Sequence, residues 1–181
     1  MNLIVDTNYR EDSLGLEEFV MPIAQVVGGR DDYEIRHYSR VDGKVAAGYE
    51  RVILSGAPLK DNEFIKRIHA FDWLRVFERP VLGICAGMEA IAAIFGSELV
   101  RCQEIGMTEI ETVSDNPLFS GNFNAYALHN LAMLPSGEFD VLAKSVNCIQ
   151  AIKHKSKPTY GVLFHPEVRN TEILDRFMAL P

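Results

Sequence analysis

The run Pro80-Val81-Leu82-Gly83-Ile84 enters Cys85-Ala86-Gly87 and continues directly into helix-forming residues that stop at Gly96. A strand without a polar position is stable only where both faces are covered, as in a parallel sheet between helices. Its passage into a helix through Gly-x-Cys-x-Gly describes a sharp strand–turn–helix elbow, where Gly83 and Gly87 let two backbones approach closely. This segment selects an α/β architecture and puts a thiol at the carboxyl edge of a sheet.

The rest of the first hundred residues agrees. Residues 3–5, 33–38, 51–54 and 80–84 read as strands, and residues 16–27, 62–77 and 86–95 carry apolar residues at helical spacing. Along 62–77 the expected apolar face is Phe64, Ile68, Phe71 and Leu74. Beyond residue 100 the pattern changes to short strand-like pieces at 109–113, 124–128, 141–145 and 149–153, separated by turn signals. Residues 160–164 then return to the core and 171–180 form a closing helix. The expected fold is α/β: an open, mostly parallel sheet with helices on both faces and an antiparallel hairpin extension in the C-terminal half, as a single domain over 1–181.

At 48% hydrophobic residues the chain has the composition of a globular domain, and its formal charge of −7 argues against a nucleic-acid partner. No apolar stretch reaches the roughly 18 residues that a membrane span needs, and Met1–Asp6 reads as a buried strand, not a signal peptide. Cys85, Cys102 and Cys148 are odd in number and widely spaced, which suits neither a disulfide framework nor a zinc site. A reducing cytoplasm is expected, with no metal or cofactor.

An elbow thiol gains thiolate character from the helix N-terminus, and the Ala86 N–H stands where an oxyanion would form. The competing reading of Cys85 is a small buried residue. A thiol nucleophile needs a base. His165 ends a second apolar run, Gly161-Val162-Leu163-Phe164, so it should emerge on the same sheet edge, with Pro166 stopping the strand and Glu167 able to orient the imidazole. His129 follows the apolar residues 125–128; it either reaches the site or makes a structural hydrogen bond. His37, His69 and His154 have charged neighbours and read as solvated surface residues, while Cys102 and Cys148 read as structural residues in strands.

These residues resemble the class I (triad-type) glutamine amidotransferases. The matching segments are Gly83-Ile84-Cys85-Ala86-Gly87, Phe164-His165-Pro166-Glu167, the Ser55-Gly56-Ala57-Pro58 turn, and Glu104-Ile105-Gly106 followed by Thr108-Glu109-Ile110. They occur in the family's order across nearly the whole chain. The resemblance implies that Cys85 attacks the side-chain amide of glutamine, that His165 protonates the departing ammonia and activates water, and that Glu167 holds His165. It implies an oxyanion hole from Ala86 and the turn carrying Gly56 and Ala57, and substrate contacts from Glu89, His129, Asn130 and Leu131. Within the family the chain looks most similar to the separate glutaminase subunits of archaeal GMP synthases. The implied partners are glutamine and a separate ATP-dependent synthetase, since no phosphate-binding Gly-x-x-x-x-Gly-Lys loop is present.

Three positions depart from the family pattern: Ala57 replaces a glycine, Glu89 replaces a glutamine, and Leu131 replaces the aspartate of GMP synthase glutaminases. A carboxylate at Glu89 would attract an ammonium, repel a carboxylate and raise the Cys85 thiol. These departures keep two alternatives open: a stand-alone cysteine hydrolase of another γ-glutamyl compound, and a weakly active regulatory or binding paralogue.

Overall fold

The computed structural model describes residues 1–181. Its strands are β1 (Asn2–Asp6), β2 (Tyr33–His37), β3 (Arg51–Leu54), β4 (Val81–Ile84), β5 (Glu98–Thr112), β6 (Asn122–Leu134), β7 (Phe139–Lys144), β8 (Ile149–His154) and β9 (Thr159–Val162). The helices are α1 (Met21–Gly28), α2 (Gly43–Ala46), α3 (Glu63–Lys66), α4 (Ala86–Ile94) and α5 (Thr171–Met178). All nine strands join one sheet in the order β2-β1-β3-β4-β9-β8-β7-β5-β6. From β2 to β9 every pairing is parallel, and from β9 to β6 every pairing is antiparallel. The α/β reading with a hairpin extension therefore holds.

Strands β1, β4 and β9 are buried at every position. Two apolar cores explain why. One, of 26 residues, packs α4 and the segment 63–77 against one sheet face; the other, of 23 residues, packs α1 and α5 against the opposite face. Near-equal cores cover both faces of the central strands, which therefore need no polar alternation.

Four local expectations are corrected. The segment 62–77 is not one helix: α3 ends at Lys66 and a 3₁₀ stretch runs over Ile68–Arg75. The tighter winding buries Trp73 together with Phe71 and Leu74, and Trp73 meets Phe77 edge to face at 5.5 Å. Burial here overrides the 3.6-residue period. The pieces at 109–113 and 124–128 are the inner parts of the much longer β5 and β6, whose outer residues pair chiefly with each other. Arg101, Gln103, Glu109 and Glu111 face water there and hide the strand in the sequence. Cys148 lies in the bend before β8, not in a strand. Finally, His37 and His154 are buried. His37 Nε2 donates to Asn8 O at 2.8 Å, and His154 packs edge-on against Phe95 and Phe139. His69 is exposed as expected. No helix is long and apolar enough to cross a membrane.

Candidate active site

Strands β4 and β9 are direct neighbours, and the backbone N–H of Cys85 continues their ladder by donating to Val162 O at 2.8 Å. Cys85 turns the chain with φ 48° and ψ −107°, a conformation that costs a non-glycine residue on the order of 1–3 kcal/mol. The flanking glycines make the turn possible. A Cβ on Gly83 would stand 2.5 Å from the Gly87 carbonyl carbon, and one on Gly87 would stand 2.4 Å from Leu54 O. Strand β3, the elbow and α4 are thus in backbone contact, and Gly87 N–H donates to Ser55 O at 3.1 Å.

His165 lies three residues beyond β9, where its N–H donates to Tyr126 O at 2.8 Å and so ties it to β6. Its Nδ1 donates to Glu167 Oε1 at 2.7 Å, and both side chains are 1% exposed. The ring packs 5.7 Å from Phe19 and presses on Gly56, where a Cβ would come within 2.7 Å of Cε1. Nε2 has no hydrogen-bond partner. The Cys85 thiol, in turn, points its Sγ toward Leu128 O at 3.6 Å.

Sulfur and imidazole are nonetheless close enough to act on each other. Burial pushes the Cys85 thiol up, and His165 pulls it back by hydrogen bonding and charge. Burial alone would lower His165, but the charge of Glu167 and the nearby Cys85 thiol outweigh it and hold the imidazole well above its ordinary value. A thiol turned from Leu128 O toward Nε2 would have a base for its proton.

Two short segments complete the surroundings. The Thr7 hydroxyl, fully buried after β1, lies 2.9 Å from Ser55 O and 3.1 Å from Gly56 O and pins the turn after β3. The N–H groups of Gly56, Ala57 and Ala86 have no acceptor within the protein, and Ala57 and Ala86 line the cavity beside Cys85. Nothing in the sequence pointed to Thr7 or Phe19. The polar run Asp6-Thr7-Asn8 at the end of an apolar strand was the only available signal.

A narrow cavity of about 10 Å³ reaches Cys85, Ala86 and Glu89 from one side and Ala57, Leu128 and Asn130 from the other. That is room for roughly one water. It shares Pro58, Asp61 and Asn62 with an open basin of about 470 Å³ outside. Asn130 lines the cavity and donates from Nδ2 to Leu59 O at 2.7 Å, which holds the wall of the 55–62 loop. Leu131 does not line this cavity and faces a neighbouring surface depression.

His129 lends the cavity its strand but turns its side chain into a buried polar cluster. Nδ1 faces Cys102 O at 3.1 Å and Nε2 faces Glu104 Oε2 at 3.2 Å. Both neighbours are acceptors, so the ring is fully paired only as imidazolium, which burial opposes. Glu104 also accepts from Asn147 Nδ2 at 2.9 Å and from Ser145 Oγ at 3.2 Å. Burial alone would raise its carboxyl, but these donors and His129 hold it below the usual range. Glu104, His129 and Cys148 lie close enough to share a cation. The centre of the group is filled, however, by the Gln150 amide nitrogen, 2.5 Å from Glu104 Oε2 and 3.2 Å from Cys148 Sγ. A metal would have to displace it.

A parallel sheet with a cysteine elbow at its carboxyl rim and a carboxylate-held histidine just beyond the next strand defines a class of α/β protein. The chain belongs within that class to the glutamine amidotransferase class-I family, whose model matches residues 23–179. It is 40% identical over 129 residues to a glutamine-hydrolyzing GMP synthase subunit of Methanocaldococcus jannaschii, an alignment covering 67% of this chain and 66% of that protein. The GMP synthase subunit of the same name from Methanothrix thermoacetophila is 35% identical over 167 residues, with 83% and 87% covered. Among solved structures, a Thermoplasma acidophilum protein described as a GMP synthase subunit superposes with a TM-score of 0.86 at 23% identity, covering 99% of this chain and 92% of that one. A Thermotoga maritima glutamine amidotransferase gives 0.71 at 19% identity, covering 99% and 81%. At these identities the structural likeness concerns the fold.

Proposed function

We propose that the chain is a glutaminase that releases ammonia from glutamine for a separate ATP-dependent synthetase, with GMP synthase as the favoured assembly. The observation that carries this reading is the His165–Glu167 bond of 2.7 Å, which leaves the unpaired Nε2 beside a thiol on a strained elbow. Cys85 Sγ attacks the side-chain amide carbon of glutamine as its proton passes to His165. The resulting oxyanion is met by the Ala86 N–H and by an N–H of the Gly56-Ala57 turn. His165 then protonates the amide nitrogen, the C–N bond breaks, ammonia leaves and a γ-glutamyl thioester remains. A water deprotonated by His165 attacks the thioester, and glutamate leaves as the thiol is restored. Glu167 keeps the imidazole oriented throughout and balances its charge.

Relatives named as subunits support a partner chain, and the cavity's small volume supports opening of the site when that partner docks. Glu89 favours the second reading, a hydrolase of another γ-glutamyl compound. Ammonia release should be measured from the purified chain alone and with a GMP synthetase partner, beside Cys85→Ala. The expected loss in the variant is roughly 10⁴-fold or more, with folding unchanged. Turnover of γ-glutamyl peptides but not of glutamine would reject glutamine as the substrate.

A further inference from the structure

Glu89 sits one helical turn beyond the nucleophile, where its backbone N–H donates to Cys85 O at 2.9 Å. The residue is 5% exposed, and its carboxyl lines the cavity with Cys85 and Ala86. No hydrogen bond from the protein reaches that carboxyl; only burial and the charge of His165 act on it. An acid without donors in a nearly closed cavity is best stabilised as the neutral form.

The other titratable groups around the cavity are Cys85 on the elbow, Asp61 on the 55–62 loop and His129 on β6, the last turned away toward Glu104. His165 stands across the elbow with Glu167 behind it. No lysine or arginine lines the cavity. Lys60 and Lys66 line the outer basin instead, and the one cation that acts on Glu89 is His165.

We propose that Glu89 admits glutamine only while it carries its proton, making this chain a glutaminase gated by pH at its binding pocket. The inference rests on the glutaminase reading above. A carboxylic acid offers one donor and one acceptor, so it can pair with both an acceptor and a donor of a bound amino acid. A carboxylate offers acceptors alone, and it would add a negative charge to a cavity that Asp61 already lines. Burial lifts the Glu89 carboxyl to about 7, so the exchange between the two forms falls near neutrality. His165 opposes this shift, and burial outweighs it.

The test is the pH dependence of KM and kcat for L-glutamine in the natural chain and in Glu89→Gln, both with the synthetase partner present. The expected result is a KM that rises about tenfold from pH 6 to pH 8 in the natural chain and stays level in the variant. The kcat profiles of the two should run parallel, because the triad is shared. Parallel KM profiles would overturn the gate. Ammonia release by neither protein would dispose of the glutaminase reading. The gate is then read from protection of Cys85 against iodoacetamide by L-glutamine. Protection at pH 6 that disappears at pH 8 only in the natural chain supports it. Protection that is absent, or equal at both pH values, overturns it.

Discussion

The parallel and antiparallel halves of this sheet are held together by different means. Around β3, β4 and β9 the site is fixed by backbone touching backbone: Gly83 against Gly87, Gly87 against Leu54, Cys85 N–H on Val162 O. Around β5 to β8 it is fixed by side chains, with Glu104, His129, Ser145, Asn147 and Gln150 joined in one buried polar group. The first arrangement tolerates almost no added atom. The second tolerates shape changes but requires every donor and acceptor to be matched.

Glu89 is the one ionisable side chain of α4, and it tests the parallel half most severely. Its carboxyl is about 7 in the folded chain against an ordinary 4.5. Below 4.5 both folded and unfolded chains hold the proton and nothing is lost. Between the two values the unfolded chain releases it while the folded chain keeps it, so stability falls as pH rises. Glu89→Gln should therefore be more stable than the natural chain above pH 7 by on the order of 3 kcal/mol, with the gap closed at pH 4. Urea unfolding at several pH values measures it; a pH-independent gap would mean that the carboxyl is already ionised in the fold.

Gly56→Ala adds one methyl 2.7 Å from His165 Cε1. The imidazole must shift, and kcat for glutamine should drop about 100-fold with KM nearly unchanged. Retained kcat would show that close contact with the turn does not set the ring's place. Gln150→Leu removes the donor at the centre of the polar cluster while keeping volume. It should cost about 2 kcal/mol in urea unfolding, because Glu104 stays buried with one donor fewer. A neutral result would mean that the antiparallel half is held by its apolar contacts instead.

How legible each half was follows from the same difference. In the parallel half the signals were local: an unbroken apolar run, punctuating glycines, a histidine at a strand end. These marked β1, β3, β4 and α4 to within a residue or two. The packing around His165 was not legible, because Phe19 and Gly56 meet it from separate segments and Thr7 pins the Gly56 turn from a third. In the antiparallel half β5 and β6 were cut short, since polar residues on a solvated ribbon look like turn sequence. His37 and His154 are buried against expectation for a related reason: charged neighbours in sequence say little about burial when the ring points inward. The role of His129 was left undecided in the sequence because its partner Glu104 lies 25 residues away, across a hairpin.

Cys85 N–H extends the β4–β9 ladder on Val162 O, while His165, three residues beyond β9, is tied by its own N–H to Tyr126 O of β6. Each is held by a backbone bond to the sheet, much as two jaws are held by a frame. Admission of a ligand larger than a water has to be accommodated by the opposite wall, where Asn130 clasps Leu59 and the Tyr9 N–H clasps Asp61. The thiol and the imidazole can stay still while the doorway in front of them gives.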